Sequence, residues 1–142
     1  MLKQFVIELF IALTLSVATS VRAQSFQRLE IRIPFSFVLK GQTLPAGKYV
    51  VERTDPGRPN ILTLKNVDGG IVRFVLTQRV EKENPSDASS LIFIQRDEKC
   101  YLFQVWTAGS MNGSQIPFPD AKETRYPNNK ELTLVTLGVQ RR

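Results

Sequence analysis

Leu29-Glu30-Ile31-Arg32-Ile33-Pro34-Phe35-Ser36-Phe37-Val38-Leu39 is the stretch that decides the fold class of this 142-residue chain. Leu29, Ile31, Ile33, Phe35, Phe37 and Leu39 recur at every second position. Successive strand side chains point to opposite faces, so this period places all of these apolar groups on one side of an extended chain. Pro34 falls between Ile33 and Phe35. Proline cannot donate to a ladder, so the stretch is either an edge strand or two short strands with a break at Pro34.

The same grammar continues outward. Lys40-Gly41-Gln42 reads as a turn, and Leu44-Pro45-Ala46-Gly47 as a second one, with proline fixing φ at the second position and glycine free to take a positive φ at the fourth. Lys48 to Arg53 follows as a strand, then a loop, Asp55 to Asn60, that carries Pro56 and Pro59. Ile61 to Val67 and Ile71 to Val80 are strands around Asp68-Gly69. Asp-Gly between apolar runs is the signature of a type I′ hairpin. Glu81 to Ser90 is a polar loop. Leu91 to Arg96 and Cys100 to Thr107 form a further hairpin through Asp97-Glu98-Lys99. Ala108 to Ser114 is small and glycine-rich, and reads as a loop. Asp120 to Glu123 matches a capping box and predicts one helical turn. Leu132 to Val139 closes the chain as a strand.

Seven or eight short strands with closely spaced turns define an all-β domain, a single antiparallel β-sandwich or small barrel. No helix long enough for a parallel crossover interrupts them, and the strands alternate poorly for a lipid-facing wall.

The N-terminal segment has a different character. Lys3 is followed by an apolar run from Phe5 to Val17, and Val21-Arg22-Ala23 has compact residues at the first and third positions. This is the pattern of a secretory signal helix over residues 1–23, cleaved between Ala23 and Gln24. The apolar run is short for a membrane span of ~20 residues. The expected mature domain, residues 24–142, has no membrane span. It is exported to the periplasm or the exterior.

Loss of residues 1–23 removes Lys3, Arg22 and Glu8, which leaves 17 basic and 12 acidic residues from the 19 and 13 of the full chain. The positive excess is spread out, with no dense basic run. Nucleic acid is therefore not an expected partner. A glycan or an anionic envelope surface is compatible with the charge. Cys100 is the single cysteine and reads as a buried, inert thiol, since burial is the usual fate of a free cysteine.

The chemistry is defined by what is missing. The chain has no histidine. That removes the usual Ser-His-Asp and Cys-His systems and the commonest zinc ligand. No phosphate-binding glycine loop is present. No cofactor and no metal are expected, and no catalytic residue is assigned. Carboxylate pairs from Asp55, Asp68, Asp97, Glu98, Asp120 and Glu123 would be needed for a carbohydrate-active enzyme. Most of these lie in turns, where Asp satisfies backbone donors.

Trp106 is the leading candidate binding residue, with Gln104 and Asn112 as its polar neighbours. A tryptophan face beside amides is suited to the apolar face of a sugar. The structural alternative is that Trp106 anchors the interior. A third reading has Phe35, Phe37, Phe74, Phe93, Tyr101 and Phe103 lining the cavity of a small lipocalin-like carrier of apolar ligands.

Ile33-Pro34-Phe35-Ser36-Phe37, Leu44-Pro45-Ala46-Gly47-Lys48-Tyr49 and Gln104-Val105-Trp106-Thr107-Ala108-Gly109 carry one further signal. In this order, and behind a signal segment, they resemble small secreted all-β proteins numerous in acidobacterial genomes. The resemblance covers most of residues 30–110. It implies export and a β fold, and it implies no activity. The expected function is a non-enzymatic binding or structural module.

Overall fold

The computed structural model describes residues 28–53, 55–118 and 133–139. The signal segment, its Ala23-Gln24 junction and the Asp120–Glu123 capping box lie outside the described residues. Eleven strands run through the described ones: β1 (Leu29–Ile33), β2 (Phe37–Leu39), β3 (Gln42–Leu44), β4 (Gly47–Glu52), β5 (Ile61–Asn66), β6 (Val72–Leu76), β7 (Gln78–Glu81), β8 (Ser90–Arg96), β9 (Lys99–Trp106), β10 (Asn112–Gln115) and β11 (Thr133–Gly138). Among these residues no helix is long and apolar enough to cross a membrane.

The strands form two sheets. The smaller has the order β1-β4-β5-β6, and the larger β11-β8-β9-β10-β7 with β2 and β3 attached at β9. Pairing is antiparallel except for one parallel bridge, Val38 to Tyr101. On one edge of β9, β10 pairs with Gln104 to Trp106 and β2 reaches Tyr101. The register of β8 against β9 slips between Ile92 and Phe93, which leaves Phe103 as an extra residue on β9.

No described strand of one sheet pairs with a strand of the other, so the domain is not closed into a barrel. The barrel expected as one possibility from the sequence is therefore set aside. The chain changes sheet at three places, from β1 to β2, from β3 to β4 through Pro45-Ala46, and from β6 to β7. The first is the segment between β1 and β2, where Pro34 has no N–H to continue a ladder. The last is Thr77, between β6 and β7. Its N–H and its Oγ1 both bond to Asn60 O, at 2.7 and 3.0 Å, in step with the β5–β6 register, and the chain leaves the smaller sheet after this rung. The single strand expected over Ile71–Val80 is thus two strands in different sheets.

The two-residue row of β1 and β2 is intact across this break. Leu29, Ile31, Ile33, Phe37 and Leu39 are buried in one core cluster, with Phe35 packed against it. Each buried aliphatic side chain contributes about 1.5–3 kcal/mol on leaving water. The aromatic residues fill the centre. Phe35 and Phe37 meet Phe93 edge to face at 5.1 and 5.6 Å, and Phe37 meets Tyr49 at 5.2 Å. Tyr101 packs on Phe118, and Phe74 is 69% exposed. Phe35, Phe37, Tyr49 and Phe93 thus pack on one another in the interior, while Phe74 stands outside it.

Turn chemistry departs from the sequence at one hairpin. In the Asn66–Ile71 loop the positive φ sits at Gly70, not at Asp68-Gly69. The loop is instead held by Asn66, whose Oδ1 accepts from the N–H groups of Asp68 and Gly69 at 2.9 Å each. Paired positive φ values, as type I′ requires, occur at Lys40-Gly41 and at Asp97-Glu98.

Candidate functional site

Trp106 and Asn112 lie on opposite faces of the larger sheet. Val105 belongs to the core cluster, so the alternation of β9 sends Gln104 and Trp106 outward. Trp106 Nε1 donates to Gln104 Oε1 at 3.0 Å, and Gln104 Nε2 donates to Gln115 Oε1 at 2.9 Å. Gly113 pairs with Trp106 across the ladder. A Cβ on Gly113 would stand 2.8 Å from three ring atoms, so the indole lies directly against bare backbone. Lys82 Nζ sits 3.9 Å from the ring centroid and donates to Ser86 Oγ at 3.1 Å.

The indole is 3% exposed. A sugar needs an open ring face, and Trp106 offers none. The structure thus separates the three candidate residues, Trp106, Gln104 and Asn112. Gln104 and Trp106 build a buried polar seam on the outer face, and Asn112 stands apart from them. Asn112 to Ser114, expected as the end of a loop, belong to strand β10. Its composition has no strand preference. Pairing with β9 and β7 on both edges imposes the conformation.

Asn112 belongs to a different feature. Between the sheets, where β4 and β9 end, lies an open cleft of about 1080 Å³. Its apolar floor is Leu29, Val51, Leu62 and Val105, all buried members of the core cluster. Loops 56–60 and 107–111 form its rim, with Met111 exposed on it. No aromatic residue lines it.

The polar side of the cleft is built by alternation on two strands. Tyr49 and Val51 face the core, and the same period continued one step places Arg53 inward at the strand end. On β10, Asn112 and Ser114 share the inner face. Arg53 Nη2 donates to Ser114 Oγ at 2.7 Å and so ties the two sheets together. Arg53 Nε is buried and has no hydrogen-bond partner among the described residues. Arg79 closes the side of the cleft. Its Nε donates to Asn112 Oδ1 at 3.0 Å, and it pairs with Glu81 at 3.1 Å in an exposed ion pair.

Sequence reasoning passed over Arg53 and Ser114. They are 61 residues apart, and nothing local links them. One signal was available. Arg53 continues the inward-facing row of β4, and a charge at an inward position needs a partner or a purpose.

The described carboxylates proposed for catalysis do not converge here. Asp55 Oδ1 accepts from Gly57 N–H at 2.8 Å, and Asp68 Oδ2 accepts from Lys48 N–H at 3.1 Å. Asp97 and Glu98 occupy the tight turn between β8 and β9. None of these lines the cleft. Among the described residues no group of three or more Asp, Glu or Cys is placed to hold a metal ion.

No family model, no curated protein and no solved structure matches this chain.

Proposed function

We propose that this chain is a non-enzymatic binding module working outside the cytoplasm, in the periplasm or at the cell exterior, with its ligand held in the cleft between the sheets. The observation that carries this reading is the cleft itself, an open space of about 1080 Å³ with an apolar floor and a few convergent polar groups. Binding sites for small molecules are commonly built in this way. Export rests on the signal pattern of residues 1–23 and on the resemblance to small secreted β proteins.

The lining favours one class of ligand over another. An aliphatic floor without a single aromatic platform suits a flexible apolar chain better than a stacked sugar ring. A small carrier of apolar ligands is therefore the preferred form of the binding module, with an inter-sheet cleft in place of a lipocalin-like barrel. Glycan binding is the second form, and it would use the polar rim.

The test is a thermal-shift screen of the exported protein against glycans, aliphatic acids and aliphatic alcohols, with Ala108→Trp run beside it. Ala108 lines the cleft, and an indole there takes up part of its space. A ligand that raises the melting temperature of the wild type and not of a folded Ala108→Trp supports the cleft. Equal stabilisation of both proteins places the ligand elsewhere and overturns the reading.

A further inference from the structure

We infer that the cleft is an anion-receiving site, in which the side edge of the Arg53 guanidinium takes the carboxylate of an amphiphilic aliphatic acid. The inference rests on the cleft reading and adds the chemical class of the ligand.

The guanidinium edge formed by Nε–H and one N–H of Nη2 is a two-toothed donor that matches a carboxylate. Nη2 carries two N–H groups, so its bond to Ser114 leaves one of them for this edge. Nη2 donates to Ser114 Oγ at 2.7 Å, while Nε is buried with no partner among the described residues. Buried polar groups are almost always satisfied, and an orphaned donor calls for an explanation. A missing acceptor is the simplest one, and a charged group has most to gain from it.

The surroundings select an anion. Arg53 and Arg79 both line the cleft. Glu52 also borders it and is the one carboxylate among the lining residues. Glu81 is already paired with Arg79. Ser114 Oγ, 3% exposed at the residue level, fixes the guanidinium from the facing sheet and so limits the entropy lost on binding. Beyond the guanidinium the cleft is backed by Leu29, Val51, Leu62 and Val105, each at most 6% exposed, and its rim adds the apolar surface of Pro56, Pro59, Ala108 and Met111. A carboxylate joined to an aliphatic chain satisfies both parts at once.

The experiment measures binding of decanoate and of decanol to the exported wild-type protein, to Arg53→Met and to Ala108→Trp. The expected result is that decanoate binds the wild type more tightly than decanol. Arg53→Met should weaken decanoate by about tenfold or more, in line with the loss of a charged hydrogen bond, and leave decanol unchanged. Equal binding of decanoate and decanol to the wild type would overturn the anion inference while leaving the cleft reading in place. Binding of neither, or binding that a folded Ala108→Trp retains, would overturn both. The comparison of the two ligands on the wild type decides the matter even if Arg53→Met does not fold.

Discussion

Asn66 Nδ2 donates to the hydroxyl of Tyr49 at 3.0 Å, and that hydroxyl donates onward to Pro45 O at 2.6 Å. Two turns far apart in sequence are joined by this chain of bonds. Tyr49 reaches back to the Leu44–Gly47 turn, and Asn66 closes the loop between β5 and β6 through Asp68 and Gly69. Both residues are among the most deeply buried of the protein. The role of Tyr in Leu-Pro-Ala-Gly-Lys-Tyr is thus to lock its own preceding turn.

Asn66→Ala leaves the Asp68 and Gly69 N–H groups without their acceptor and removes the donor to Tyr49. The expected loss is about 1–3 kcal/mol, the cost of orphaning buried polar groups. Chemical denaturation measures it. A change within experimental scatter would show that water replaces the amide.

Burial raises the pKa of the Tyr49 phenol above its ordinary value of 10.0, opposed by the bond from Asn66 and reinforced by the charge of Asp68. A raised folded-state pKa means that the folded protein holds this proton more tightly than the unfolded chain. The associated stability is complete below pH 10 and is lost as pH rises above it. The melting temperature should fall less steeply above pH 10 in Tyr49→Phe than in the wild type. Parallel slopes would contradict the assignment.

Gly113→Ala should destabilise the fold by about 1–3 kcal/mol, because its Cβ would meet the Trp106 ring at 2.8 Å and the ring has little room to retreat. Near-ultraviolet circular dichroism reports the displaced indole. An unchanged spectrum and melting temperature would mean that the seam repacks freely.

Gly47→Val should also destabilise, for a related reason. A Cβ at Gly47 would stand 3.2 Å from Asp68 Oδ2, the acceptor of the Lys48 N–H, and a branched residue adds to the crowding. Thermal unfolding measures the loss. Unchanged stability would show that the Asp68 loop can yield.

Cys100 is partly buried and packs against the core cluster. Cys100→Ser should keep the far-ultraviolet spectrum and lose about 1 kcal/mol. A covalent dimer of the wild type on a non-reducing gel would contradict an inert thiol.

The β class was legible because period two survives even where the strand does not. The apolar row from Leu29 to Leu39 crosses from one sheet to the other and faces the interior on both sides of Pro34. The crossing at Thr77 was hidden, since Thr77 suits a strand and its bonds to Asn60 O are tertiary. Strand β10 was hidden for the same reason. Glycine at 113 reads as flexibility in sequence, and in the structure it is the space that the Trp106 ring needs. The cleft was the least legible feature. Arg53 and Ser114 meet only because β4 and β10 face each other across the sandwich, and no local pattern encodes that meeting.

The most direct test of the account is to follow backbone amide signals by NMR while decanoate is added to the wild-type protein. The account predicts that the amides of Val51, Gly109 and Ser114, which line the cleft, shift together and saturate, while the Trp106 indole N–H stays still. Shifts centred on the indole or on the exposed Phe74 surface, with Gly109 and Ser114 unmoved, would contradict it.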